Sequence, residues 1–371
     1  MTRLGEVATY INGFAFAPED WSENGLPIIR IQDLTGNSYQ MNRYAGEYNP
    51  KYEVNRGDVL ISWSASLGVY VWQGERALLN QHIFKVVFDK CEVDKSFYVH
   101  QVADILEKAA SQAHGATMKH LTKPVFDALP FYLPDLPTQR RIADTLDKVS
   151  EGIGLCRKML GELDLMVKAK FVEMFENENY PHTELINLIK DGMGLSYGIV
   201  QPGDDGTGEM GVLRPVDMVG GKISMTSIKY IDRSIGDGFR KTELTGDELL
   251  ITVRGTTGVT ALTDARFTGM NVTRGIAVIR YDREKINPVY LNAYLNTDES
   301  QRYIQEHTRG ATLQQINLSD LRIQDIVVPP INLQNRFAAF IAEVDKSKLT
   351  VQRIRDKMEM EKLALMQKYF A

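Results

Sequence analysis

The sequence DLPTQRRIADTLDKVSEGIGLCRKMLGELDLMVKAKFVEMFEN, residues 135–177, decides the fold of this chain. Its apolar residues alternate in steps of four and three, which is the heptad spacing of a helix that packs against another helix. Prolines precede the stretch and Pro181 follows it, so we expect one uninterrupted helix, roughly 60 Å long at 1.5 Å per residue. An ordinary globular domain does not need a helix of this length. The predicted apolar stripe consists of Ile142, Leu146, Val149, Ile153, Leu160, Leu163 and Val167.

A second stretch of this kind occupies residues 330–370. One of its apolar positions repeats strictly every seven residues, whereas the other is poorer because it includes Ser347 and Glu361. A helix with one narrow apolar stripe needs a partner, and each stretch can supply it to the other. Because the chain returns between them, we expect the two helices to pack antiparallel as a coiled coil. The strictly repeated positions are Phe337, Val344, Val351, Met358 and Leu365.

Composition limits the class of protein. The 371 residues are 43% hydrophobic and 25% charged, which is typical of a soluble chain with two or more domains. Cys91 and Cys156 lack a metal-type spacing, so we expect free thiols in a reducing cytoplasm. We expect no membrane span and no signal peptide, because no apolar run is long enough and the N-terminus is polar. The formal net charge of −5 argues mildly against a nucleic-acid partner.

Short motifs recur in the same order in the two halves of the chain. The offset between the copies grows stepwise, as expected after a duplication in which the second copy gained loop insertions. We therefore predict two copies of one module, each a globular domain followed by a long helix. The paired motifs are PDLPTQRRIA at 134–143 with PPINLQNRFA at 329–338, GAT at 115–117 with 310–312, Gly-Asp-x-Leu at 57–60 with 246–249, Arg30-x-x-Asp33 with Arg214-x-x-Asp217, and Asn80 with Asn271.

Each globular domain combines strands with a helix. Apolar runs such as 58–63 and 83–88 predict strands, and the pattern at 95–112 predicts a helix. The second copy repeats this plan with a helix at 288–305. The predicted fold class is therefore α+β (mixed α/β), with two pseudo-repeated globular domains separated by two long antiparallel helices. The predicted boundaries are 1–134 and 179–329 for the globular domains, and 135–178 and 330–371 for the helices.

The duplicated features resemble those of the specificity subunits of type I restriction–modification systems. The resemblance rests on the Gly-Asp-hydrophobic strand, the Gly-Ala-Thr loop and the proline- and glutamine-containing entry to a long helix, each present twice, and it covers essentially the whole chain. It implies two target recognition domains, each reading one half of a split, asymmetric site on double-stranded DNA. It implies that the helices set the spacing of the half-sites and dock two modification (methyltransferase) subunits.

The same resemblance implies a division of labour between subunits. This chain would be non-catalytic and would hold no cofactor, whereas S-adenosylmethionine would bind to the modification subunits. Restriction subunits, with translocase and nuclease activity, would join through the complex. The assembly would act on DNA in the cytoplasm and would not contact a membrane.

Motifs for other chemistry are weak. The segment 206–211 matches a dinucleotide-binding fingerprint but follows a loop rather than a strand. Residues 287–290, Asn-Pro-Val-Tyr, resemble an adenine methyltransferase loop without its second proline, and a helix start with Pro288 near its first position is the better interpretation. Pro134-Asp135 could open a nuclease motif, but no Glu-x-Lys strand follows. Since the histidines show no metal-ligand spacing, we expect neither a catalytic centre nor a metal site.

Candidate DNA contacts are polar and basic residues in or beside repeated motifs, at positions predicted to be loops or strand ends. For any one of them, the alternative is an ordinary solvated surface residue. Acidic residues such as Asp144, Glu151 and Asp164 lie on the long helices, which allows basic domain tips in a chain of negative net charge. The candidates are Arg30, Gln32, Ser64, Ser66, Gln81, His82, His114 and Lys119 in the first domain, and Arg214, Arg254, Thr256, Thr257, Arg274, Arg309 and Gln314 in the second.

Two other functions fit the same pattern. A standalone regulator would use two DNA-binding domains on a coiled coil, and tight sequence-specific binding by the isolated chain would favour it. A protein-binding scaffold would have no nucleic-acid role, and failure to bind DNA even with methyltransferase partners would favour it. The recognised base sequence, and the domain that reads each half, do not follow from the residues because readout depends on loop placement and DNA shape.

Overall fold

A computed structural model describes residues 2–36, 40–112, 122–176, 179–203, 208–311 and 313–370. Internal contacts divide the chain into two compact units. Unit 1 comprises Met1–Lys158 with Gln352–Ala371, and unit 2 comprises Met159–Val351. Each unit thus contains one globular domain together with a part of both long helices.

Unit 1 is built on two small sheets. The first has the strand order β2-β9-β6-β7 and is antiparallel throughout. The second has the order β4-β3-β8-β5, in which β3 and β8 run parallel. The strands are β1 (Thr2–Arg3), β2 (Thr9–Asn12), β3 (Leu26–Ile29), β4 (Arg43–Tyr44), β5 (Glu53–Val54), β6 (Val59–Ser62), β7 (Gly68–Val71), β8 (Ala77–Leu79), β9 (Ile83–Val87) and β10 (Pro130–Phe131), and the helices are α1 (Leu4–Val7), α2 (Ile31–Leu34), α3 (Lys95–Gln112), α4 (Lys123–Asp127) and α5 (Leu136–Phe175).

Unit 2 repeats this plan. Its antiparallel sheet has the order β12-β20-β17-β18, and its second sheet, β16-β13-β19, again contains one parallel pair, β13 with β19. The strands are β11 (His182–Glu184), β12 (Ser196–Tyr197), β13 (Met210–Leu213), β14 (Met218–Val219), β15 (Lys222–Ile223), β16 (Lys229–Ile231), β17 (Leu249–Thr252), β18 (Thr260–Leu262), β19 (Asn271–Val272), β20 (Ile276–Ile279) and β21 (Asp325–Val327), and the helices are α6 (Arg233–Gly236), α7 (Pro288–Leu295), α8 (Asp298–Glu306), α9 (Leu318–Arg322) and α10 (Ile331–Phe370).

The central strands are apolar because they are covered on both faces. All four residues of β6, and all four of β17 and β20, are buried. Continuous runs of Val, Ile and Leu are typical of such strands. In each unit, one face of the antiparallel sheet packs against helices and the other contributes to a smaller cluster toward the second sheet. The mixed α+β fold class, with its repeat, is confirmed.

Hydrogen bonds correct two of the motif pairings. The Asn80 amide donates to the Ile29 carbonyl (3.3 Å), and its counterpart in unit 2 is Thr273, whose amide donates to Leu213 (2.9 Å), rather than Asn271. Similarly, the Asp58 carboxylate accepts from a backbone amide three residues upstream, and Glu248 does so in unit 2. One inserted residue therefore shifts the Gly-Asp motif of the second copy relative to its strand.

The glutamine of the repeated helix-entry motif has the same internal role in both units. Gln139 Oε1 accepts from the backbone amide of Asp94 (2.8 Å), and its Nε2 donates to the carbonyl of Pro134 (2.8 Å). Gln334 makes the same pair of bonds, to the Asn287 amide (2.7 Å) and to the carbonyl of a proline five residues upstream (2.7 Å). Both glutamines are buried. Each joins the start of a long helix to the residue that caps an earlier helix, Asp94 at α3 and Asn287 at α7, so the duplicated glutamine has the same structural role in both units.

The long helices run antiparallel within each unit. In unit 1, a Cβ on Gly152 would meet Met358, and Arg157 forms an ion pair with Glu359 (3.1 Å). The apolar end of α10, including Phe370, packs against the core that contains Leu146. In unit 2, Asp164 pairs with Lys348 (2.6 Å), and further along α5 the ring of Phe171 lies 5.5 Å from that of Phe337. Residues later in α5 therefore meet residues earlier in α10.

Burial follows the predicted stripes. On each helix, residues outside the predicted apolar stripe are mostly exposed. Ile354, at the poorer of the two apolar positions of α10, is also exposed, at 49%. Ile142, Leu146, Ile153, Phe337, Val344 and Val351 are buried, and Val149, Leu160, Leu163, Val167, Met358 and Leu365 are half-buried.

The helix predicted at 288–305 is wrong in one respect, because the chain breaks it into α7 and α8. Thr297 caps α8 by accepting from the Ser300 amide, and Asp298 and Glu299 follow in its first turn, which is a helix-start signal inside the predicted helix. Helices α5 and α10 lie within the predicted ranges. The four predicted domain boundaries stay predictions, because both long helices are divided between the two units.

Candidate nucleic-acid interface

Four of the predicted contact residues of unit 1 line a single pocket. Strands β3 and β8 are parallel neighbours, so the residues that follow them leave the sheet at the same edge. Arg30 follows β3, and the loop of Asn80, Gln81 and His82 follows β8. The pocket has a volume of about 260 Å³. It is lined by Phe16, Trp21, Ile28, Arg30, Ile31, Gln32, Asn80, Gln81 and His82.

The polar groups of this pocket are incompletely paired. Gln81 Nε2 lies 3.3 Å from His82 Nε2, and the His82 ring packs edge-on against Trp63 at 5.4 Å between ring centroids. Gln81 Oε1 and His82 Nδ1 are buried and lack hydrogen-bond partners within the described part of the chain. Such groups raise the free energy of the folded state unless a ligand or water satisfies them. The pocket therefore combines guanidinium, amide and imidazole groups, and two of its buried polar atoms lack a partner.

The predicted residues Ser64 and Ser66 lie in the hairpin that joins β6 to β7. Ser64 is buried, at 5% exposure, and Ser66 is exposed while its carbonyl accepts from Ser62 Oγ. Ala65 between them has φ +58°, a left-handed conformation that is uncommon for a residue with a Cβ. His114 and Lys119 lie outside the described residues.

In unit 2, five of the predicted residues meet at one loop cluster. Gln315 forms isolated β-bridges with both Arg254 and Arg309, and the Gly255 amide donates to the carbonyl of Gln314 (2.9 Å). Thr257 Oγ1 lies 3.0 Å from the hydroxyl of Thr308. The cluster thus consists of Arg254, Thr256, Thr257, Arg309 and Gln314.

The cluster presents two arginines in different states. Arg254 Nε is buried and has no hydrogen-bond partner among the residues described. Arg309 is exposed and pairs with Asp320 at 3.6 Å. Only Arg309 is exposed in this pair, because the Asp320 side chain is 16% exposed and its Oδ2 is buried. Moving the Arg309 guanidinium to a phosphate or a base would therefore leave a largely buried carboxylate without its counter-charge.

The last two predicted residues lie at the edge where β13 and β19 end. Arg274 is exposed and follows β19. Arg214 follows β13 but is engaged inside the protein, because its guanidinium donates to both oxygens of Asp217, at 3.1 and 3.0 Å. Burial alone would raise the pKa of Asp217, but the hydrogen bonds from Arg214 and Ser227 outweigh it, and the pKa is lowered. Arg214 is therefore held by the protein, unlike the exposed Arg274.

The pocket is also lined by three residues that are not among the predicted contacts, Trp21, Phe16 and Asn80. A signal was present, since aromatic residues precede an arginine-terminated strand, and aromatic rings often accompany basic residues at nucleic-acid surfaces. Within the described ranges, no group of three or more His, Cys, Asp or Glu side chains could hold a metal ion. No described helix is long and apolar enough to span a bilayer.

Taken together, the fold and these loops define a twice-repeated α+β protein with polar loop clusters at the strand ends of each copy. The family model described as type I restriction modification DNA specificity domain matches residues 1–164 and 217–360. The chain belongs to this family. The match covers both copies of the repeat, in agreement with the duplication seen in the sequence.

Individual relatives agree with this assignment. The chain is similar to the type I restriction enzyme EcoBI specificity subunit of Escherichia coli, with 24% identity over 92% of this chain and 78% of the relative. It is also similar to the MjaVIII specificity subunit of Methanocaldococcus jannaschii, with 23% identity over 52% of this chain and 46% of the relative.

Solved structures support the fold. One, from work on complex assembly and conformational transition of the type I R-M system, has a TM-score of 0.58 and 17% identity over 100% of this chain and 96% of that chain. The S subunit of a type I restriction–modification system from M. genitalium has a TM-score of 0.57 and 13% identity over 100% of this chain and 95% of that chain. At these identities the likeness concerns the fold alone.

Proposed function

We propose that this chain reads a bipartite DNA site for a type I restriction–modification complex, with each globular domain recognising one half-site. The observation that carries the proposal is the combination of a repeated sheet plan with different side chains at equivalent strand ends. Unit 1 places a pocket of amide, imidazole and aromatic groups there, and unit 2 places arginines and threonines. Two similar domains with different contact groups suit two half-sites of different sequence.

We further propose that the long helices set the distance between the half-sites and dock two modification subunits, which bind S-adenosylmethionine. Restriction subunits would join this complex, which would act in the cytoplasm, and the present chain would transfer no methyl group itself. Exposed apolar residues support a protein partner on the helices: Leu165 on α5 is 65% exposed, and Met360 on α10 is 71% exposed. Apolar side chains exposed on both helices can be buried by a protein partner, whereas a phosphate offers them no apolar contact.

The test is single-molecule mapping of methylated adenines in cells that carry this chain together with its modification subunits. We expect a split motif that disappears when this chain is omitted. Exchanging residues 179–329 for those of a relative should change one half of the motif and leave the other unchanged. A change in both halves would contradict independent reading, and sequence-specific binding by the isolated chain without any methylation would favour a standalone regulator.

The spacing role has its own test. Four residues inserted near Gly161, which is exposed on α5, should lengthen that helix by about 6 Å and nearly preserve the phase of its apolar stripe. With DNA rising 3.4 Å per base pair, the unread gap should grow by about one or two base pairs. Two inserted residues are the matched control, because they rotate the stripe away from its partner and should reduce assembly. An active four-residue variant with an unchanged gap would contradict the proposal.

A further inference from the structure

The repeated Arg-x-x-Asp turn has the same backbone in both units. In unit 1 the amide of Arg30 donates to Asp33 Oδ2 (2.7 Å), and in unit 2 the amide of Arg214 donates to Asp217 Oδ2 (2.8 Å). In each case the turn follows the strand that pairs in parallel with its neighbour. The two arginines therefore start from equivalent backbone positions, each with an aspartate within reach.

The guanidinium groups of the two arginines contact different partners. The Arg214 guanidinium folds onto Asp217 and also donates to the Ser227 carbonyl, and Ser227 Oγ donates to Asp217 Oδ1 (2.8 Å). The Arg30 guanidinium instead lies over the indole of Trp21, with its Cζ 5.5 Å from the ring centroid. None of the ion pairs among the described residues includes Arg30.

The outward position of Arg30 leaves its aspartate incompletely satisfied. Asp33 Oδ1 is buried and has no hydrogen-bond partner in the described part of the chain. Its equivalent, Asp217 Oδ1, accepts from both Arg214 and Ser227. A buried carboxylate oxygen without a donor destabilises the folded state, so the inward position would be preferred unless another contact opposes it.

Trp21 supplies that opposing contact. A guanidinium stacks favourably on an indole face through cation–π attraction, and the planar group keeps its N–H donors free at its edge. Trp21 is 44% exposed, and together with Arg30 it forms part of the wall of the pocket described above. The stacked Arg30 lines this pocket together with Gln32 and Gln81.

We propose that Trp21 holds the Arg30 guanidinium away from Asp33, so that Arg30 donates to the major-groove edge of a guanine in the half-site read by unit 1. Arg30 is then a specificity-determining residue, Trp21 is its positioning residue, and Arg214 has become an internal structural residue. Guanine is the expected base because its O6 and N7 acceptors match the fork of an arginine. This inference rests on the proposed function.

The first experiment maps methylated adenines in cells carrying the modification subunits with wild-type chain, Arg30→Ala or Arg76→Ala. Arg76 is an exposed arginine of unit 1 outside the pocket and is the matched control. Arg30→Ala should lower the preference for guanine at one position of one half-site by about 10- to 100-fold. The other half-site should stay unchanged, and Arg76→Ala should give the wild-type motif.

The second experiment tests the positioning role of Trp21. Trp21→Ala should reduce the same guanine preference, and Trp21→Phe should restore most of it by providing another ring. Asn at position 33 can still accept from the Arg30 amide but attracts the guanidinium less, so the double variant Trp21→Ala/Asp33→Asn should regain preference over Trp21→Ala alone. If Asp33→Asn gives no recovery, Trp21 acts through packing and the positioning role is wrong.

The outcomes separate this inference from the proposed function. If wild-type complex marks no split motif, the proposed function fails. If wild-type complex marks a split motif and Arg30→Ala leaves it unchanged, the inference about Arg30 is overturned while the proposed function stands. A uniform loss of binding to all sequences, with a shallower salt dependence, would make Arg30 a phosphate contact and would overturn its role in base recognition.

Discussion

The two units are alike where the globular domain meets a long helix and different where strands end in loops. The buried side chains of Gln139 and Gln334 make the same two hydrogen bonds, with distances that agree within about 0.1 Å. The backbones of Arg30 and Arg214 occupy equivalent positions, but the Arg30 guanidinium lies over Trp21 whereas the Arg214 guanidinium pairs with Asp217. The comparison shows that a repeated residue keeps one structure where both its partners are backbone groups. Where its partner is a side chain in a loop, the two copies can diverge.

The largest loss of stability is expected on substituting Arg214, the arginine that pairs with a buried aspartate in unit 2. Arg214→Ala leaves Asp217 buried and without its counter-charge, which should destabilise unit 2 by about 4 kcal/mol. Hydrogen exchange of β13 and β19 measures this loss. The control is Arg266→Ala, because Arg266 also pairs closely with an aspartate, Asp264, but both side chains are exposed. That substitution should cost far less than Arg214→Ala, because exposed ion pairs contribute little to stability, and an equal loss in both variants would contradict the structural role of Arg214.

The next largest loss of stability is expected on removing the glutamine that both units share at the start of a long helix. Gln139→Ala and Gln334→Ala each remove the partner of one backbone amide and one backbone carbonyl, most of them part-buried, at a cost of about 2 kcal/mol. Because the geometry is the same, we expect similar losses in unit 1 and unit 2, measured by hydrogen exchange of α3 and α7. The exposed neighbours supply the controls Arg140→Ala and Arg336→Ala, which should change stability by less than about 0.5 kcal/mol. A loss confined to one unit would show that the repeat is not equivalent there.

Acidification should protonate the buried carboxylates of unit 2 and thereby lower its stability. Burial raises the pKa of Glu248, but hydrogen bonds from Thr245, Thr263 and backbone amides outweigh it, so the pKa is lowered, as it is for Asp217. A lowered folded-state pKa means stability that is complete above the ordinary carboxyl pKa of about 4 and is lost as the pH falls through the folded-state value.

Urea unfolding of unit 2, followed by hydrogen exchange between pH 7 and pH 3, measures this dependence. Glu248→Gln should lower stability at neutral pH and flatten the decline on acidification. A decline as steep as that of the wild type would exclude Glu248 as a contributor.

The sequence predicted the fold well because its signals are local and repeated. Heptad spacing and the duplicated helix-entry motif indicate α5 and α10, and apolar runs indicate the central strands. The partners of the side chains at the strand ends could not be predicted in this way. Arg30 and Arg214 have the same spacing to an aspartate, and only the structure shows that Trp21 holds one arginine away from it. The inserted residue before β17 is likewise invisible to a match of Gly-Asp-x-Leu.

The smallest expected effect lies in the hairpin after β6 and its counterpart after β17, where the copies carry Ala65 (φ +58°) and Gly255 (φ +83°). Two terms oppose each other here. A Cβ in the left-handed region costs roughly 1–2 kcal/mol, whereas glycine loses about 0.4–1 kcal/mol more conformational entropy on folding than alanine does. A Cβ on Gly255 would meet no atom within 4 Å, so only these two terms decide the outcome.

We therefore expect Gly255→Ala to destabilise unit 2 by about 1 kcal/mol and Ala65→Gly to stabilise unit 1 by less than about 1 kcal/mol. Hydrogen exchange of β6 and β17 in each variant measures both changes. If Ala65→Gly is destabilising, the Ala65 side chain makes a favourable contact in the hairpin that outweighs its backbone strain. If it is stabilising and the half-site that we propose for unit 1 also loses specificity, the strained conformation of Ala65 holds the loop in the position that the proposed DNA recognition requires, and the two hairpins differ in function as well as in sequence.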